Sequence, residues 1–251
     1  MKQMESGTIK AQAPTLAAAD IVRATAVTQA LNGICYASAG ETGLAAAELE
    51  RMVSAVPRAM ASALSKKAYY FVPLVISEGD DLVVAERYDV ALSDKAVCHR
   101  NYGPGEAQCI FISTRLMDDK FSVAFELYIN VGHAFVDRAG VSQAFSDMVW
   151  RQVEEKARGE SSLDAYELRK LATTEGPGME KAKNDYLAAT FSDAIAVYLL
   201  SLYLDVDYQE LREREYPLLA PAALAERLRK VNELFPVNPG FEFSIVYKRR
   251  A

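Results

Sequence analysis

The hydrophobic and polar positions change their spacing along this chain. Residues 68–92 and 105–116 contain β-branched and aromatic runs broken by turn-forming residues, at Gly79-Asp80 and at Gly103-Pro104-Gly105. This texture predicts a small cluster of strands between about residues 68 and 115. On both sides of the cluster, apolar residues recur every three or four positions, which indicates helices.

Five helices are predicted after the strand cluster, and several have a recognisable start or stop. They are placed at residues 118–140, 142–159, 161–178, 179–205 and 220–236. Asp118 and Asp119 are candidate N-caps of the first helix, and Gly140 is its expected stop. The last helix has Pro221 near its start and Pro236 just after its end, which are the positions where proline is favoured around a helix.

Two Ala-rich segments predict further helices before the strand cluster. Residues 16–40 are expected to contain one helix, which ends near Asn32-Gly33, where a residue of positive φ would stop it. Residues 42–67 are expected to form a second, with Thr42 as its cap and an interruption at Pro57. Residues 1–15 are polar and contain Gly, Ala and Pro, so we expect them to be disordered.

The order of these elements predicts an α+β fold. N-terminal helices come first, then the strand cluster, then a mainly helical C-terminal half, without the alternation of a doubly wound sheet. The chain has 251 residues. We expect residues 16–251 to form a single domain.

Composition and charge narrow the function classes. Hydrophobic residues make up 51% and charged residues 25% of the chain, the mixture of a globular protein. A net charge of −6 argues against a nucleic-acid-binding surface, because phosphate neutralisation needs an excess of Lys and Arg. The three cysteines have no C-x-x-C spacing, which favours reduced thiols. A bridge between Cys98 and Cys109 stays open if the two lie opposite each other on paired strands.

No membrane segment is expected. The most apolar stretch, residues 194–204, is shorter than the ~18 residues of a membrane span and lies between Asp193 and Asp205. The N-terminal residues lack the apolar core of a signal peptide, so we expect a cytoplasmic protein. The Ala-rich segment 16–40 is a candidate surface for packing against a second copy of the chain, which would make a homo-oligomer.

Two stretches after the strand cluster have a sequence pattern similar to that of a known active site. "GHAFVD" occupies residues 132–137 and "FSDAIAVYL" occupies residues 191–199. Together with the order of elements, they resemble the zincin metallopeptidases, in particular the family of the anthrax lethal factor catalytic domain. That family carries H-E-x-G-H-A on one helix and roughly E-F-F-A-E-A-F on a later one. The resemblance implies a zincin-like fold over about residues 70–236.

The family's chemistry explains the spacing of its motif. Two histidines at positions i and i+4 lie on one helix face and hold Zn²⁺, while the neighbouring Glu polarises the bound water. A Glu from the later helix completes the protein ligands. Aligned on this pattern, His133 takes the second histidine position, Ile129 the first, and Asn130 the general-base position. The ligand Glu falls on Ala189, or on Ala188 if the register slips by one.

The residues at these positions argue against the family's peptidase activity. Ile129 and Ala189 offer no metal ligand, and Asn130 cannot accept a proton at neutral pH. The resemblance therefore implies a catalytically inactive, zincin-like pseudo-metallopeptidase. We expect it to bind an unidentified peptide or protein through the former active-site cleft, and we expect no cofactor, since zinc would find only His133 and Asp193 as candidate ligands.

The candidate binding residues surround this predicted helix. They are His133, Asp193, Asp137, His99 and Tyr186. In the simplest interpretation, His133 hydrogen-bonds Asp193 or Asp137 between two packed helices, because buried polar groups need partners.

The alternative is a metal-dependent hydrolase with a rearranged site. Its residues would be His133 and Asp193, with His99 approaching from the strands. Glu126 is a further oxygen donor, because it lies two helical turns before His133 on the same face.

Overall fold

The computed structural model describes residues 13–78, 81–103, 107–117, 119–207, 211 and 216–246. Several predictions lie outside these residues. They are the disorder of residues 1–12, the turn at Gly79-Asp80, the turn residues Pro104-Gly105 and the cap at Asp118.

The described residues form strands and helices in an α+β arrangement. The strands are β1 (Thr15–Ala17), β2 (Thr28–Gln29), β3 (Cys35–Ser38), β4 (Lys67–Val72), β5 (Leu74–Glu78), β6 (Asp81–Ala85), β7 (Ala96–Val97), β8 (His99–Tyr102) and β9 (Gln108–Ser113). The helices are α1 (Ala18–Ala24), α2 (Ala46–Ser54), α3 (Val90–Ser93), α4 (Lys120–Ala139), α5 (Gln143–Glu154), α6 (Leu163–Ala172), α7 (Met179–Tyr203) and α8 (Pro221–Leu234). The predicted α+β class is confirmed.

The strands make two sheets among the described residues. The larger sheet has the order β2-β3-β4-β9-β8, and the smaller has the order β1-β6-β5-β7. In the larger sheet β3, β4 and β9 are parallel, whereas β8 runs antiparallel to β9. The mixed sheet therefore ends at β8, an antiparallel edge strand.

The larger sheet is buried on both faces because its central strands carry apolar side chains at most positions. On β4, Tyr69 and Phe71 pack with the helices that follow the sheet. The alternate residues Tyr70 and Val72 pack on the other face, with Ile21 of α1. Burying each such large side chain contributes roughly 1.5–3 kcal/mol, so this sheet anchors the fold.

α7 is the central helix of the C-terminal half. It passes a length-and-composition test for a membrane span, but 78% of the apolar window is buried inside the fold. That burial is typical of the core helix of a soluble protein. The segment predicted as too short for a span is thus part of a longer apolar helix that other helices cover.

The predicted C-terminal helices are confirmed, with small shifts at their ends. The Asp119 side chain caps α4 by accepting a hydrogen bond from the Ser122 N–H, and Gly140 ends that helix with a positive φ. Pro221 occupies the first turn of α8, as predicted.

The prediction for residues 16–40 is wrong. Only α1 is helical there, and β2 and β3 follow it as a hairpin. The expected disorder is also wrong for residues 13–15, since Ala13 is buried and Thr15 begins β1. Thr42 does not cap α2, which begins only at Ala46. The interruption expected at Pro57 is present, because α2 ends before it.

The disulfide left open between Cys98 and Cys109 is absent. Although β8 and β9 are paired, Cys109 lies opposite Tyr102, and Cys98 precedes the strand at its other end. All three cysteines carry free thiols.

Candidate functional site

α4 and α7 cross at a close backbone contact. A Cβ atom added at Gly132 would lie 2.6 Å from the backbone oxygen of Ser192. Only glycine allows this approach, which makes the α4–α7 contact the most extensive between any two described elements. The crossing brings His133 and Asp193, the next residues along each helix, to the same region.

Asp193 sits in a polar niche beside the crossing. The Ser161 hydroxyl donates to its Oδ2 at 2.8 Å. Burial raises the pKa of Asp193 above its ordinary value, while hydrogen bonds from Ser162 and Ser161 and the nearby His133 act against that shift. His133 and Asp193 are therefore close enough to interact electrostatically, without a direct hydrogen bond.

The simplest interpretation of His133 is wrong. The side chain is exposed, and it makes no hydrogen bond to Asp193 or Asp137 among the described residues. Asp137, one turn further along α4, is also exposed. His133 is thus not a core histidine with a satisfied partner, and its imidazole faces solvent.

The three residues aligned with the metal-ligand and general-base positions of the zincins pack or form hydrogen bonds within the fold. Ile129 packs as a partly buried residue against the main core. Ala189 is half-buried on α7, one turn before Asp193. Asn130 is buried, and its Nδ2 donates to the backbone oxygen of Glu126 at 2.9 Å and to its Oε1 at 3.2 Å.

His99 forms a pair with Glu126. Its Nδ1 contacts the Oε1 of Glu126, and the imidazole is 40% exposed while the carboxylate is only 16% exposed. Since an ionised carboxylate only accepts hydrogen bonds, Nδ1 is the donor of this pair and Nε2 is left free for a further contact. A carboxylate that orients an imidazole in this way is a recurrent arrangement in bases and in metal ligands.

The sequence analysis put Glu126 on the same helix face as His133 and expected His99 to approach from the strands, but it did not predict that Glu126 and His99 pair. The register of β8 explains the pairing. His99 lies opposite Ile112 of β9, whose side chain faces the helices, so His99 also points toward α4.

His99 and His133 are not brought together. Glu126 lies seven residues before His133, which is about 10 Å along the helix axis. The residues of the expected rearranged metal site are therefore divided between two places, the His99–Glu126 pair and the region where His133 lies near Asp193. In the part of the chain that the structure describes, no three His, Cys, Asp or Glu side chains are grouped in a way that could hold a metal ion.

Cys98 does not join His99 in a nucleophilic pair. Burial and the nearby Glu126 charge raise the pKa of the Cys98 thiol, despite a backbone hydrogen bond that acts to lower it. The thiol therefore stays protonated near neutral pH, which disfavours a role as nucleophile.

The outer edge of β8 carries unpaired backbone groups. The Ser113 N–H donates to the Cys98 carbonyl at 2.8 Å, which makes this a hydrogen-bonded pair. Because hydrogen-bonded and non-hydrogen-bonded pairs alternate in an antiparallel ladder, His99 and Asn101 direct their N–H and C=O groups away from β9. No hydrogen bond joins these four groups to another described residue.

α4 packs over the face of the sheet at β9 and runs in the same direction as β8. The end of β9, through His99, lies beside Glu126, whereas its start at Gln108 shares a cleft with Ala134 and Asp137 at the far end of α4. α4 is thus antiparallel to β9. We use the name edge groove for the outer edge of β8 at His99 and Asn101 together with the α4 residues Glu126, Asn130 and His133, which share one face of that helix.

Tyr186 does not belong to the edge groove. It is buried, and its hydroxyl donates to Glu160 Oε1 at 2.7 Å. Glu160 is also buried and accepts from Arg227 at 2.8 Å and from Arg169 at 3.0 Å. Arg227 in turn donates to Gln152 at 2.9 Å.

This buried network was missed by the sequence interpretation. Burial acts to lower the pKa of Arg227, but the charges of Glu160 and Tyr186 and the hydrogen bonds to both together raise the pKa, so the guanidinium stays charged. Since every member has a partner, the network holds α6, α7 and α8 together. Gly159 has a positive φ and turns the chain into Glu160, but nothing in the local sequence marks Glu160 as buried.

Comparison with known proteins assigns no family. No protein-family model matches this chain, and no curated protein matches it.

Proposed function

We propose that this protein is a zincin-like binding module that takes an extended peptide into the edge groove. The observation that carries the proposal is the outer edge of β8, where the His99 and Asn101 backbone groups have no described partner. An extended peptide satisfies such groups by adding a strand to the sheet. Each hydrogen bond formed in this way contributes about 0.5–1.5 kcal/mol net.

The residues of the helix beside that edge favour binding over peptide hydrolysis. Ile129, Asn130 and Ala189 occupy the positions at which zincins hold and activate the metal-bound water, and none of them supplies a ligand or a base. The side chains of the groove are instead suited to recognition. His99 presents Nε2, and His133 presents an exposed imidazole. We also propose that the protein acts in the cytoplasm and not at a membrane or on nucleic acid.

A selection from a displayed library of random peptides tests the proposal. Peptides bound by the protein should lose affinity for the Asn101→Pro variant, because proline removes the outward N–H without touching the hydrogen bonds between β8 and β9. Arg100→Ala is the matched control, since Arg100 lies opposite Phe111 on the other face of the strand. Equal loss of binding in both variants would argue against strand addition.

Amide hydrogen exchange provides a second readout. Binding should slow the exchange of the His99 and Asn101 amides, whereas the Arg100 amide is already paired with β9. An unchanged exchange rate at both positions in the presence of a tight peptide would sink the proposal.

Metal analysis separates this function from the alternative of a rearranged metal-dependent hydrolase. Protein purified without chelators should contain no stoichiometric zinc. Zinc at one equivalent that is lost in His133→Ala would favour the hydrolase instead.

A further inference from the structure

His99 and Asn101 project their side chains from the same face of β8. Successive strand residues alternate between faces, so Arg100 lies on the opposite face, beside Phe111. The contact of His99 with Glu126 shows that the shared face is the one toward α4. A strand added at the outer edge of β8 therefore places every second side chain beside His99 or Asn101.

The imidazole of His99 is held in one orientation. Its Nδ1 contacts Glu126 Oε1, and Asn130 Nδ2 donates to the same oxygen at 3.2 Å. The Glu126 carboxylate is mostly buried, whereas the imidazole is partly exposed. The ring is therefore positioned from its Nδ1 side, and its Nε2 makes no hydrogen bond to another described residue.

An added strand changes the surroundings of Nε2, because it covers the imidazole on the side that now meets solvent. A polar group that loses water without gaining a partner costs free energy. The Cβ atom of a directly paired cross-strand residue lies about 4.5–5.5 Å away, so even a short side chain reaches its neighbour. The peptide residue paired with His99 is therefore expected to be polar.

A hydroxyl group suits Nε2 in both protonation states of the imidazole. The neutral ring accepts a hydrogen bond there and the protonated ring donates one, and a hydroxyl can do either in return. A lysine ammonium only donates and an ionised carboxylate only accepts, so each matches a single state. The negative charge of Glu126 behind the ring further disfavours a carboxylate.

We propose that His99 is a specificity-determining residue of the edge groove, which selects threonine or serine at the peptide position paired with it. Threonine is the better fit, because β-branched residues favour strands. Glu126 is a positioning residue, since it acts on the peptide only through the imidazole. This inference rests on the proposed function, because it needs a strand added to β8.

Peptides from the displayed library test this selection. Intermolecular nuclear Overhauser effects to His99 and Asn101 identify which peptide residue is paired with His99. Threonine or serine should be enriched at that position. Replacing the threonine by valine, which keeps the shape and removes the hydroxyl, should weaken binding by about fivefold to tenfold.

The preference for threonine over valine should vanish in His99→Leu. The valine peptide should bind this variant at least as tightly as the wild type, which shows that the variant is folded. Arg100→Ala is the control and should keep the preference, because Arg100 lies on the other face of β8. A preference that persists in His99→Leu would overturn the inference.

The role of Glu126 has its own readout. Glu126→Ala releases the ring and should reduce the preference for threonine, whereas Glu126→Gln keeps an oxygen for Nδ1 and should retain it. An undiminished preference in Glu126→Ala would overturn the positioning role.

The pH profile checks the choice of a hydroxyl. Histidine side chains change charge between about pH 5 and 8, and a hydroxyl matches both forms. The wild type should therefore prefer threonine over valine at about pH 5 and at about pH 8 alike. A preference at only one of the two pH values would overturn the hydroxyl assignment.

The inference and the proposed function fail in different ways. If selected peptides lose affinity for Asn101→Pro but show no preference for a hydroxyl beside His99, the inference is wrong and strand addition stands. If Asn101→Pro binds them as tightly as the wild type does, strand addition is wrong and the selection by His99 falls with it.

Discussion

At the scale of single residues, Glu160 is the centre of the buried hydrogen-bond network. Its buried carboxylate accepts hydrogen bonds from Tyr186, Arg169 and Arg227, which come from three different helices. A buried ion pair adds little stability compared with a well-packed apolar cluster. Removing one partner is costly, however, because the other charge stays buried and uncompensated.

Glu160→Gln should therefore destabilise the protein strongly. We expect a loss of roughly 3–5 kcal/mol in the free energy of unfolding, measured by urea denaturation, because Arg227 keeps its charge without a counter-charge. Arg151→Gln removes the exposed pair with Glu226 and should change the free energy of unfolding far less. Similar losses in the two variants would mean that Glu160 is not the centre of the network.

Asp193 gives a prediction about pH. Burial raises the pKa of Asp193 above its ordinary value of 3.8. Between the ordinary pKa and the raised pKa, the folded protein therefore binds more protons than the unfolded chain. The free energy of unfolding must then fall as the pH rises through that window. Asp193→Asn removes the ionisation and keeps an oxygen for the Ser161 hydroxyl.

The Asn variant should match the wild type near about pH 3 and exceed it in stability near about pH 7. Denaturation curves at both pH values check this, with Asp137→Asn as the control because Asp137 is exposed. A variant that is less stable at neutral pH would show that the ionised Asp193 is held favourably, against the direction argued here.

Little at this scale could be predicted from the sequence. His133 and Asp193 were correctly placed in one region, because helical spacing and the zincin resemblance both pointed there. Glu160 carries no local mark, since a buried glutamate is recognised only by the arginines that meet it in space. Tyr186 was placed at the cleft for the same reason. Its partner Glu160 lies 26 residues away in the chain, so the sequence does not show that the two meet.

At the scale of the elements, the crossing of α4 and α7 depends on the absence of a side chain at Gly132. Gly132→Ala would place a Cβ atom 2.6 Å from the Ser192 backbone oxygen, and neither helix backbone can move without disturbing the core. We expect a loss of about 1–3 kcal/mol in the free energy of unfolding, although alanine is the better helix former.

Gly103→Ala is the matched control for that substitution. A Cβ atom there meets nothing within 4 Å, and the backbone is not left-handed. Its unfolding free energy should stay close to that of the wild type. If Gly132→Ala is equally neutral, the close contact does not determine how α4 and α7 pack.

The elements themselves were predictable where their signals are local. The cap at Asp119, the stop at Gly140 and the proline at the start of α8 each act within a few residues, and the helices they bound were found. The hairpin of β2 and β3 was missed, since its Ala-rich sequence favours a helix. Parallel pairing of β3 with β4 provides the competing stabilisation, and that partner lies about 30 residues later.

At the scale of the whole molecule, one hydrophobic core joins the larger sheet to the helices. Phe71 of β4 and Ile112 of β9 belong to the same buried cluster as residues of α4 and α7. The sheet and the helical half should therefore not open independently. The α+β class followed from the segregation of the two textures along the chain, whereas this shared core required the sheet register.

Native-state hydrogen exchange tests that cooperation. The slowest amides of β4 and of α7 should exchange with the same opening free energy, equal to the global free energy of unfolding. The amides of β1, at the edge of the smaller sheet, provide the contrast and should exchange through smaller openings. A β4 opening well below the global value would show that the sheet unfolds on its own.

The apolar character of α7 has a consequence for how the chain is made. A segment hydrophobic enough to pass for a membrane span is exposed to the translocation machinery as it leaves the ribosome. α4 and α6, its two largest contacts, precede it in the chain and are already synthesised when it emerges. The order of the helices therefore lets α4 and α6 cover α7 during translation, whereas α8 and Phe243, which also pack against α7, arrive later.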